Sequence, residues 1–600
     1  QKNTKLNFPP LKNDLNEEIT EEEEKYKLIC SKLFPERSDT LSDYPTNPNE
    51  DLKIESHELN NIIKKLNNRK ANGVDGISNK MIKIINKNHP KLLISIYNRY
   101  LKFRHFPYFW KIGKIKLINK LGKDPQQPNS YRPIALLSAL GKVFEKSIRL
   151  RLEEGLEQGE GLHKYQFGYR KQRSTEKAID NCFKIIEHLR EKENYKIIML
   201  TSFDISGAFD RIKWSAILKC LEEIQINVNL INLIKSFLIE RRVEFHNENK
   251  CIYKQQVSAG VPQGSALSPT IFNIAMAKIH NKVGVKNKNI KLISYADDFL
   301  LVAGIENEAD IKKINEEIEK INSILEEEGL GLNQQKTKSL LITKKQNKNM
   351  IKNKIKKLSD QQGNVISFDK EMKHLGVIID ENLNFSSHVN YITDKIKNTY
   401  NKISALYRNT FGLKYNDRKI LYNSLFRSII EYGSLIYYPK LNKRNKKKIK
   451  SLQRKVLLNV ISAYRTVSYC STNVIAGILP SDLQIEQTNE IKKLKTRNLN
   501  LKEQREEIAS VKNKYINLWQ EQYNLEETGR TTYNLIPNIE DRIQNKELKP
   551  NYYLTQFLTE HGNFNAYLRR FKIIENENCS YCKTKKDNTI HTFLECPLFG

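Results

Sequence analysis

The chain has 600 residues, of which 39% are hydrophobic and 28% charged, a composition that excludes a disordered polypeptide and predicts two to four folded domains. Its 101 Lys and Arg residues against 69 Asp and Glu residues give a formal net charge of +32. This excess favours a polyanionic partner such as nucleic acid, although basic side chains are also typical of ordinary solvated surface. Charge alone leaves both interpretations open.

The cysteine and hydropathy patterns exclude two further classes of protein. Most of the eight cysteines stand alone, unlike the disulfide framework of a small secreted domain. No stretch approaches the roughly 18 apolar residues that a bilayer-spanning helix requires, and the first residues do not resemble a signal peptide. We therefore expect an intracellular protein with no membrane partner.

Residues 1–50 are expected to form a linker or N-terminal extension. They combine the Pro9-Pro10 pair, an acidic run at 17–24 and a Ser-, Asp- and Pro-rich stretch that ends at Pro48. This composition is compatible with one short helix and with no active chemistry. From Leu59 onward apolar residues recur at helical spacing, which predicts the start of the first folded domain.

The middle of the chain alternates short apolar runs with helical periodicity. Strands are predicted at 197–203, 292–295, 299–303 and 338–343. Helices are predicted between them at 214–221, 230–239 and 311–325. This alternation predicts a sheet with helices packed on it, and beyond residue 385 the pattern becomes all-helical.

Acidic residues stand at the ends of two of these predicted strands. Asp204 follows the first strand, and Asp297 with Asp298 breaks the apolar pattern between the second and the third. An Asp-Asp pair alone is typical of a turn, but between apolar runs two adjacent carboxylates are costly unless cations neutralise them. Three convergent aspartates would suffice to hold the two Mg²⁺ ions of a phosphoryl transfer site.

Three segments around these acids resemble the palm motifs of reverse transcriptases. They are Phe-Asp-Ile-Ser-Gly-Ala-Phe-Asp at 203–210, Ala-Gly-Val-Pro-Gln-Gly-Ser-Ala-Leu-Ser-Pro at 259–269 and Tyr-Ala-Asp-Asp at 295–298. Gly-Leu-Asn at 331–333 with Lys-Thr-Lys at 336–338 resembles the fourth motif, and His-Leu-Gly-Val at 374–377 resembles the primer-grip segment. Their order agrees with that of the family.

Upstream segments narrow the resemblance to non-LTR retrotransposons. Ala-Asn-Gly-Val-Asp-Gly at 71–76 and Tyr-Arg-Pro-Ile-Ala-Leu-Leu-Ser at 131–138 are similar to the fingers motifs of their polymerases, and Gln-Phe-Gly-Tyr-Arg at 166–170 continues the similarity. The resemblance runs from about residue 50 to 480. It implies an α+β fold, that of a right-hand polymerase with fingers, a palm built on an antiparallel sheet and a helical thumb. The implied bounds are fingers 51–200, palm with primer grip 201–385, thumb 386–480 and a helical connector 481–570.

The resemblance also implies roles for individual residues. Asp204, Asp297 and Asp298 would hold two Mg²⁺, or Mn²⁺, with the Ile205 carbonyl as a further ligand, and Asp210 would be a structural neighbour. Lys336 would protonate the pyrophosphate leaving group. The remaining candidates would contact the nucleotide, primer or template: Arg132, Phe209, Gln263, Gly264 and Tyr295. Among them Phe209 would exclude a ribose 2′-hydroxyl, and Arg132 suits a triphosphate.

A cysteine and histidine cluster closes the chain. Cys579, Cys582, His591 and Cys596 have the spacing of a CCHC zinc knuckle, a ligand set suited to one tetrahedral Zn²⁺. Such a knuckle at 571–600 resembles the tails of many non-LTR retrotransposon polymerases. Nearby lysines and Tyr581 are compatible with nucleic-acid contact, but a knuckle that only braces the chain end is also compatible with the sequence.

The favoured interpretation is an RNA-directed DNA polymerase of a non-LTR retrotransposon, with an RNA template, a DNA primer and dNTPs as partners. By family resemblance it would work in the nucleus and cytoplasm. A group II intron or retron-type reverse transcriptase is the nearest alternative, disfavoured by the zinc tail and the 131–138 segment. A decayed element protein that binds RNA without polymerising is a third, disfavoured by the intact acids and Gln263-Gly264. No endonuclease or RNase H motif set is evident in these residues.

Overall fold

The structure is a computed structural model that describes every residue except 1–7, 46–51, 159–160, 206, 249, 285–286, 334–335, 344–367, 408–411, 498 and 599–600. The chain divides into two compact units, Gln1–Asp369 and Lys370–Gly600. Across the described ranges, every helix is too short or too polar to cross a bilayer.

The strands of the first unit form three sheets. They are β1 Leu11–Lys12, β2 Glu18–Ile19, β3 Ile112–Asn119, β4 Tyr131–Leu136, β5 Ile197–Asp204, β6 Arg241–Asn247, β7 Lys250–Val257, β8 Ile290–Tyr295, β9 Asp298–Ile305, β10 Lys338–Thr343 and β11 Phe368–Asp369. β1 and β2 pair alone, β4-β3-β6-β7 form a four-stranded sheet, and β11-β10-β5-β9-β8 form the five-stranded central sheet.

The central sheet is antiparallel except where β10 and β11 pair in parallel. β5 lies in its middle, and its first five residues are buried, as expected of a continuous apolar run covered on both faces. The predicted strands at 197–203, 292–295, 299–303 and 338–343 are all confirmed. The α+β class and the antiparallel sheet expected of the palm are confirmed as well.

Helices surround these sheets. They are α1 Glu22–Leu33, α2 Ser56–Lys64, α3 Asn79–Asn88, α4 Pro90–Lys102, α5 Tyr108–Lys111, α6 Ala139–Gln158, α7 Thr175–Glu191, α8 Ala208–Arg211, α9 Trp214–Glu223, α10 Val228–Leu238, α11 Ser268–Lys282 and α12 Glu308–Glu327. Side-chain caps start several of them: Asn307 forms a capping box on α12, and Ser174 caps α7. The buried faces of α9 to α12 join one large apolar core with the central sheet.

Residues 8–45 form a folded N-terminal extension with one helix, as the sequence allowed, instead of a linker. The β1-β2 pair and α1 precede a stretch anchored to the body of the unit. Leu11, Ile29, Cys30 and Phe34 are buried in a cluster with residues of the four-stranded sheet. The acidic run suggested a solvated linker. In the structure three of these glutamates lie in the first turn of α1, where negative side chains interact favourably with the helix dipole.

Beyond α1 the same segment crosses to the helices of the central sheet. Arg37 Nη2 donates to the Gly329 carbonyl at 2.8 Å. The Asp39 carboxylate accepts from the Ser215 backbone at 2.9 Å, and Asp43 pairs with Lys235 at 2.6 Å. The segment therefore joins the four-stranded sheet to α9 and α10.

Among the described residues of the second unit, the regular elements are helices and one hairpin, β12 Glu371–His374 with β13 Val377–Asp380. Its helices are α13 Ser386–Ile403, α14 Tyr415–Leu421, α15 Ser428–Glu431, α16 Ser434–Tyr437, α17 Lys443–Val460, α18 Tyr469–Ala476, α19 Ser481–Leu494, α20 Leu501–Leu525, α21 Arg530–Leu535, α22 Ile539–Gln544, α23 Tyr552–Thr559 and α24 Asn565–Arg570. The all-helical pattern predicted beyond residue 385 is confirmed for the described residues.

The boundary between the units differs from the one expected at residue 385. The hairpin belongs to the helical unit because Val377 and Ile379 are buried and β13 contacts α13. The Tyr432 hydroxyl also donates to the Leu375 carbonyl at 2.5 Å, in the turn of the hairpin. The segment that resembles a primer grip is thus built into the second unit.

The buried N-terminal segment generates a stability prediction. Ile29→Ala is expected to lower the free energy of unfolding by about 2–5 kcal/mol, because Ile29 is 0% exposed and its truncation leaves a cavity. Leu15→Ala is the control, since Leu15 is 77% exposed and should change stability by about 0.5 kcal/mol or less. Urea denaturation measures both. Equal stability of the two variants would contradict the packing of this segment.

Candidate active site and metal centre

Strand pairing brings the three predicted aspartates to one end of the central sheet. β5 and β9 are antiparallel with Asp204 directly opposite Asp298. β9 also pairs with β8, so that Tyr295 lies opposite Asp298 and only Ala296 and Asp297 form the turn. Ala296 has φ 57°, the left-handed conformation that tight hairpins require. The backbone hydrogen bonds of β9 with β5 and with β8 therefore hold Asp204, Asp297 and Asp298 at the same end of the sheet.

The electrostatics of this cluster suit cations. Burial, followed by the charges of Asp297 and Asp204, raises the pKa of the Asp298 carboxyl to about 6. Burial and the Asp204 charge also raise the pKa of Asp297. Like charges at short range and removal from water both disfavour ionisation. Divalent cations bound by carboxylate oxygens would relieve this repulsion, so the three residues fit a divalent metal site.

Lys336 lies at the cluster. Its Nζ is 2.6 Å from Asp204 Oδ2. The Asn333 amide donates to the Asp204 carbonyl at 2.8 Å, and the Lys336 amide donates to the Asn333 carbonyl at 3.1 Å. Ile205 forms a bridge with Leu332 alongside. The structure therefore joins the segment at 203–210 to the segment at 331–338. Ser206, within the first segment, lies outside the described residues.

The segment at 166–170 braces the aspartate hairpin. The Phe167 amide donates to the Ser294 carbonyl at 2.8 Å, and the Ser294 amide donates to the Tyr165 carbonyl at 3.0 Å. A β-carbon at Gly168 would lie 2.3 Å from the Ala296 nitrogen. Only glycine allows this approach, so Gly168 sets how closely the segment packs on the turn that carries Asp297.

Backbone hydrogen bonds fix the predicted contact residues Gln263 and Gly264 against β4. The Ala135 amide donates to the Gln263 carbonyl at 2.8 Å. Gly264 has φ 132°, and a β-carbon there would lie 2.4 Å from the Ala135 oxygen. This turn is thus tied to the four-stranded sheet, close to where Arg132 projects from β4 as an exposed side chain.

The Gln263 side chain has a protein partner of its own. Its Nε2 donates to Asp210 Oδ2 at 2.7 Å. Burial raises the pKa of the Asp210 carboxyl to about 7, although Gln263, Lys120, Arg211 and Arg132 act in the opposite direction. Asp210 therefore fixes the Gln263 side chain.

The remaining predicted residues lie around the same cluster. The Phe209 ring stacks on Phe272 with centroids 4.6 Å apart and faces Tyr169 edge-on at 6.1 Å. The Arg132 charge acts on both Asp210 and Asp297. Tyr295 is half-buried at the base of the hairpin. The first unit thus brings together Arg132, Phe209, Gln263, Gly264 and Tyr295 around the three aspartates and Lys336.

The second unit contains the cysteine and histidine cluster. Cys579 and Cys596 have their sulfurs 3.9 Å apart, and Cys582 Sγ lies 3.2 Å from His591 Nε2. All four ligand atoms lie within 4.8 Å of one another. Four ligands around a tetrahedral ion with metal–sulfur distances of about 2.3 Å lie about 3.8 Å apart. The cluster therefore fits one tetrahedral metal ion.

Local hydrogen bonds shape this cluster for metal binding. The Thr584 hydroxyl, the backbone amides of Lys585 and Thr584, and His591 together lower the pKa of Cys582 to about 6. The Cys579 amide donates to the Lys585 carbonyl at 2.8 Å, closing the loop that carries the first two cysteines. A thiolate is the form that binds metal, so the loop favours the ligand state of Cys582.

A second group of potential ligands occurs on β6 and β7: Glu244, His246 and Cys251. Glu244 already uses both carboxylate oxygens, with Arg242 at 2.7 Å and His246 at 2.9 Å. Because Arg242 pairs with one carboxylate oxygen and His246 contacts the other, the Glu244 side chain is already engaged by its neighbours in the sheet.

Sequence analysis missed Glu145, which is 0% exposed on α6. Its Oε2 accepts from the Ser265 hydroxyl at 2.9 Å and from the Ala266 amide at 2.6 Å. The available signal was a glutamate directly after the buried Val143 and Phe144, since a charge within an apolar helix face implies a specific partner.

Comparisons with known proteins agree with the geometry. Residues 118–379 match the family model described as reverse transcriptase (RNA-dependent DNA polymerase). The retrovirus-related Pol polyprotein of the type-1 retrotransposable element R1 of Bradysia coprophila is 26% identical over 91% of this chain and 54% of its own length. The RNA-directed DNA polymerase from the mobile element jockey of Drosophila melanogaster is 27% identical over 68% of this chain and 44% of its own length. The chain thus spans about half the length of these relatives.

Among solved structures, the Candida tropicalis telomerase in complex with a fragment of telomeric RNA is 14% identical. The match covers 72% of this chain and 68% of that chain, with a TM-score of 0.36.

The buried Asp210 carboxyl generates a pH prediction. A carboxyl pKa raised to about 7 in the folded state means that the folded chain loses stability as the pH rises from about 4 to 7. An asparagine side chain at this position cannot ionise but can still accept from Gln263. Asp210→Asn is therefore expected to gain thermal stability relative to the parent between pH 5 and pH 8, as measured by melting temperature. Asp180→Asn, on the surface of α7, is the control. A difference that does not change with pH would refute the buried ionisation.

Proposed function

We propose that this chain, which is similar to the reverse transcriptases of non-LTR retrotransposons, is an RNA-directed DNA polymerase that copies retrotransposon RNA into cDNA. The observation that carries this proposal is the register that sets Asp204 opposite Asp298, with Asp297 in the adjoining turn. Three carboxylates at one sheet end, with raised pKa values on two of them, suit divalent cations, and the bound cations would in turn bind phosphate oxygens.

In this proposal the chain's carboxylates hold two Mg²⁺ ions, for which Mn²⁺ could substitute. The ions would neutralise charge on the attacking primer 3′-oxygen and on the leaving pyrophosphate. Asp204, Asp297 and Asp298 supply the ligand oxygens, and the Ile205 carbonyl supplies one more. Since the backbone ladder fixes both acidic strand ends, the ligands need little rearrangement when they bind cations.

Lys336 is the proposed proton donor to the leaving pyrophosphate. Its ammonium pairs with Asp204 Oδ2 at 2.6 Å. Metal binding by Asp204 would free the ammonium to turn toward the phosphates, because 58% of the Lys336 side chain is exposed. A protonated amine at this place can both attract the triphosphate and transfer a proton.

The nucleotide and template contacts surround these groups. Arg132 would bind the triphosphate with its planar fork. The Phe209 ring, held by stacking on Phe272, would exclude a ribose 2′-hydroxyl and favour dNTPs. Gln263 and Gly264 would support the template base and nucleotide, and Tyr295 would lie beside the primer end.

The domain assignment is part of the same proposal. Fingers occupy 51–200, the palm starts at 201, and the helices of the second unit supply the thumb and connector. Within the proposed fingers, β4 carries Arg132, whose charge acts on Asp297 in the proposed palm. RNA template, DNA primer and dNTPs are the proposed partners, in the nucleus and cytoplasm. The formal charge of +32 supports a nucleic-acid partner.

At the end of the chain, Cys579, Cys582, His591 and Cys596 are proposed to bind one Zn²⁺ as a CCHC knuckle. The support is the mutual approach of the four ligand atoms within 4.8 Å. Three sulfurs and one imidazole favour zinc over harder cations such as Mg²⁺.

Primer extension tests the polymerase proposal. The parent is expected to extend a DNA primer on an RNA template with dNTPs and Mg²⁺, and Asp297→Ala should lower the rate by more than about 100-fold, since even residues that only orient metal ligands cost about 10–100-fold. Asp180→Ala, on the surface of α7, is the matched aspartate control and should keep the parent rate. Template-primer binding is measured alongside.

Two outcomes would refute the proposal in different ways. A parent that binds template-primer but extends no primer with Mg²⁺ or Mn²⁺ is an RNA-binding protein, not a polymerase. Equal rates for the parent and Asp297→Ala would reject the assigned carboxylates while leaving a polymerase in place.

Metal analysis tests the zinc proposal. The parent, purified with zinc present, should hold one Zn²⁺ per chain, and Cys579→Ser should lose it together with part of its thermal stability. Cys251→Ser is the control, because Cys251 is an exposed thiol on β7. A parent without stoichiometric metal, or equal zinc in the parent and Cys579→Ser, would reject the knuckle.

A further inference from the structure

Glu145 is a buried carboxylate that lies away from the three aspartates and has no part in the proposed chemistry. It is 0% exposed on α6, and burial raises its pKa. Lys142 and Arg241 are the charged groups that act on it. Burial of a carboxylate is costly unless hydrogen bonds and neighbouring charges offset it. Its position therefore calls for an explanation beyond packing.

The partners of Glu145 belong to the turn after Gln263 and Gly264. A single oxygen, Oε2, accepts from both the Ser265 hydroxyl at 2.9 Å and the Ala266 amide at 2.6 Å. The Ser265 oxygen in turn accepts from the Leu267 and Ser268 amides at 3.0 and 3.1 Å. A directed chain of hydrogen bonds thus runs from the start of α11 through Ser265 to the carboxylate.

This chain of hydrogen bonds reaches the candidate active site by two routes. Directly before Ser265, Gln263 bonds to Asp210 and Ala135, and Gly264 rests on the Ala135 carbonyl. Within α11, the Asn273 side-chain Nδ2 donates to the Gly168 carbonyl at 2.6 Å, and Gly168 abuts the turn that carries Asp297. The turn that carries Gln263 is therefore held by β4 and Asp210 on one side and by Glu145 on the other.

We propose that Glu145 is a positioning residue that holds the Gln263–Ala266 turn where Gln263 and Gly264 meet the nucleotide and template base. This inference rests on the proposed polymerase function. Glu145 touches neither the substrate nor the metals and acts only through the turn. Loss of its carboxylate should therefore weaken nucleotide binding more than the chemical step, which depends on the aspartates.

Two variants at position 145 separate hydrogen bonding from packing. Glu145→Leu removes the acceptor and keeps an apolar side chain of similar size, whereas Glu145→Gln keeps an acceptor oxygen for Ser265 and Ala266. We expect Glu145→Leu to raise the KM for dNTPs by about 10-fold or more with a smaller change in kcat. Glu145→Gln should restore KM to within about 3-fold of the parent. Glu153→Leu, two turns further along α6, is the matched control.

Hydrogen–deuterium exchange gives a readout independent of catalysis. Amides at 265–268 should exchange slowly in the parent and in Glu145→Gln, and faster in Glu145→Leu. If the parent extends no primer, the polymerase proposal fails, while exchange still reports whether Glu145 holds the turn. If Glu145→Leu does not fold, Ser265→Ala removes the hydroxyl that links Glu145 to the Leu267 and Ser268 amides and should raise KM in the same direction.

Three outcomes would overturn the inference. The first is unchanged KM and unchanged exchange in Glu145→Leu. The second is a parallel loss of kcat, template-primer binding and melting temperature in Glu145→Leu, which would indicate a structural role only. The third is a Glu145→Gln variant as impaired as Glu145→Leu, since the retained acceptor would then have no effect.

Discussion

The pairing of β5 with β9 is the constraint on which the site depends. Its register sets Asp204 opposite Asp298, and the two-residue turn to β8 adds Asp297. Burial and like charge make this arrangement unfavourable on its own, as the raised pKa values of Asp297 and Asp298 indicate. The hydrophobic core and the backbone ladder stabilise the strands, so the chain can hold these acids together in readiness for cations.

Two loops outside the central sheet make close backbone contacts with the segments around the aspartates. The loop that contains Gly168 packs on the turn of the aspartate hairpin, and the loop that contains Gly264 packs on β4. At each glycine a β-carbon would lie less than 2.5 Å from a backbone atom of the neighbouring segment. Glu145 and Asp210 then fix the second loop through side-chain hydrogen bonds. The N-terminal segment adds a tie between the four-stranded sheet and the helices of the central sheet. The positions of the loops around the three aspartates thus depend on glycines and on buried carboxylates as well as on the aspartates themselves.

Much of the site could be predicted from the sequence because strand periodicity and motif order are local signals. The strands that carry Asp204, Asp297 and Asp298 follow from apolar runs, and the family resemblance is confirmed by the match at 118–379. Glu145 could not be placed, since its partners are about 120 residues away and no local pattern encodes them. In residues 8–45 the one short helix that the sequence allowed is present, but its buried side packs on a distant sheet, and no local pattern encodes that contact. The hairpin at 371–380 likewise joins the helical unit through tertiary contacts only.

A count of the bound ions tests the central claim most directly. Mn²⁺ can be titrated into the chain bound to a template-primer and a non-hydrolysable deoxynucleotide, with EPR spectroscopy as the readout. We expect two Mn²⁺ per chain, coupled as ions about 3.5–4 Å apart are, and loss of that coupling in Asp298→Asn. A single uncoupled ion in the parent, or a coupled pair that survives in Asp298→Asn, would contradict a two-metal site built on the β5 and β9 register.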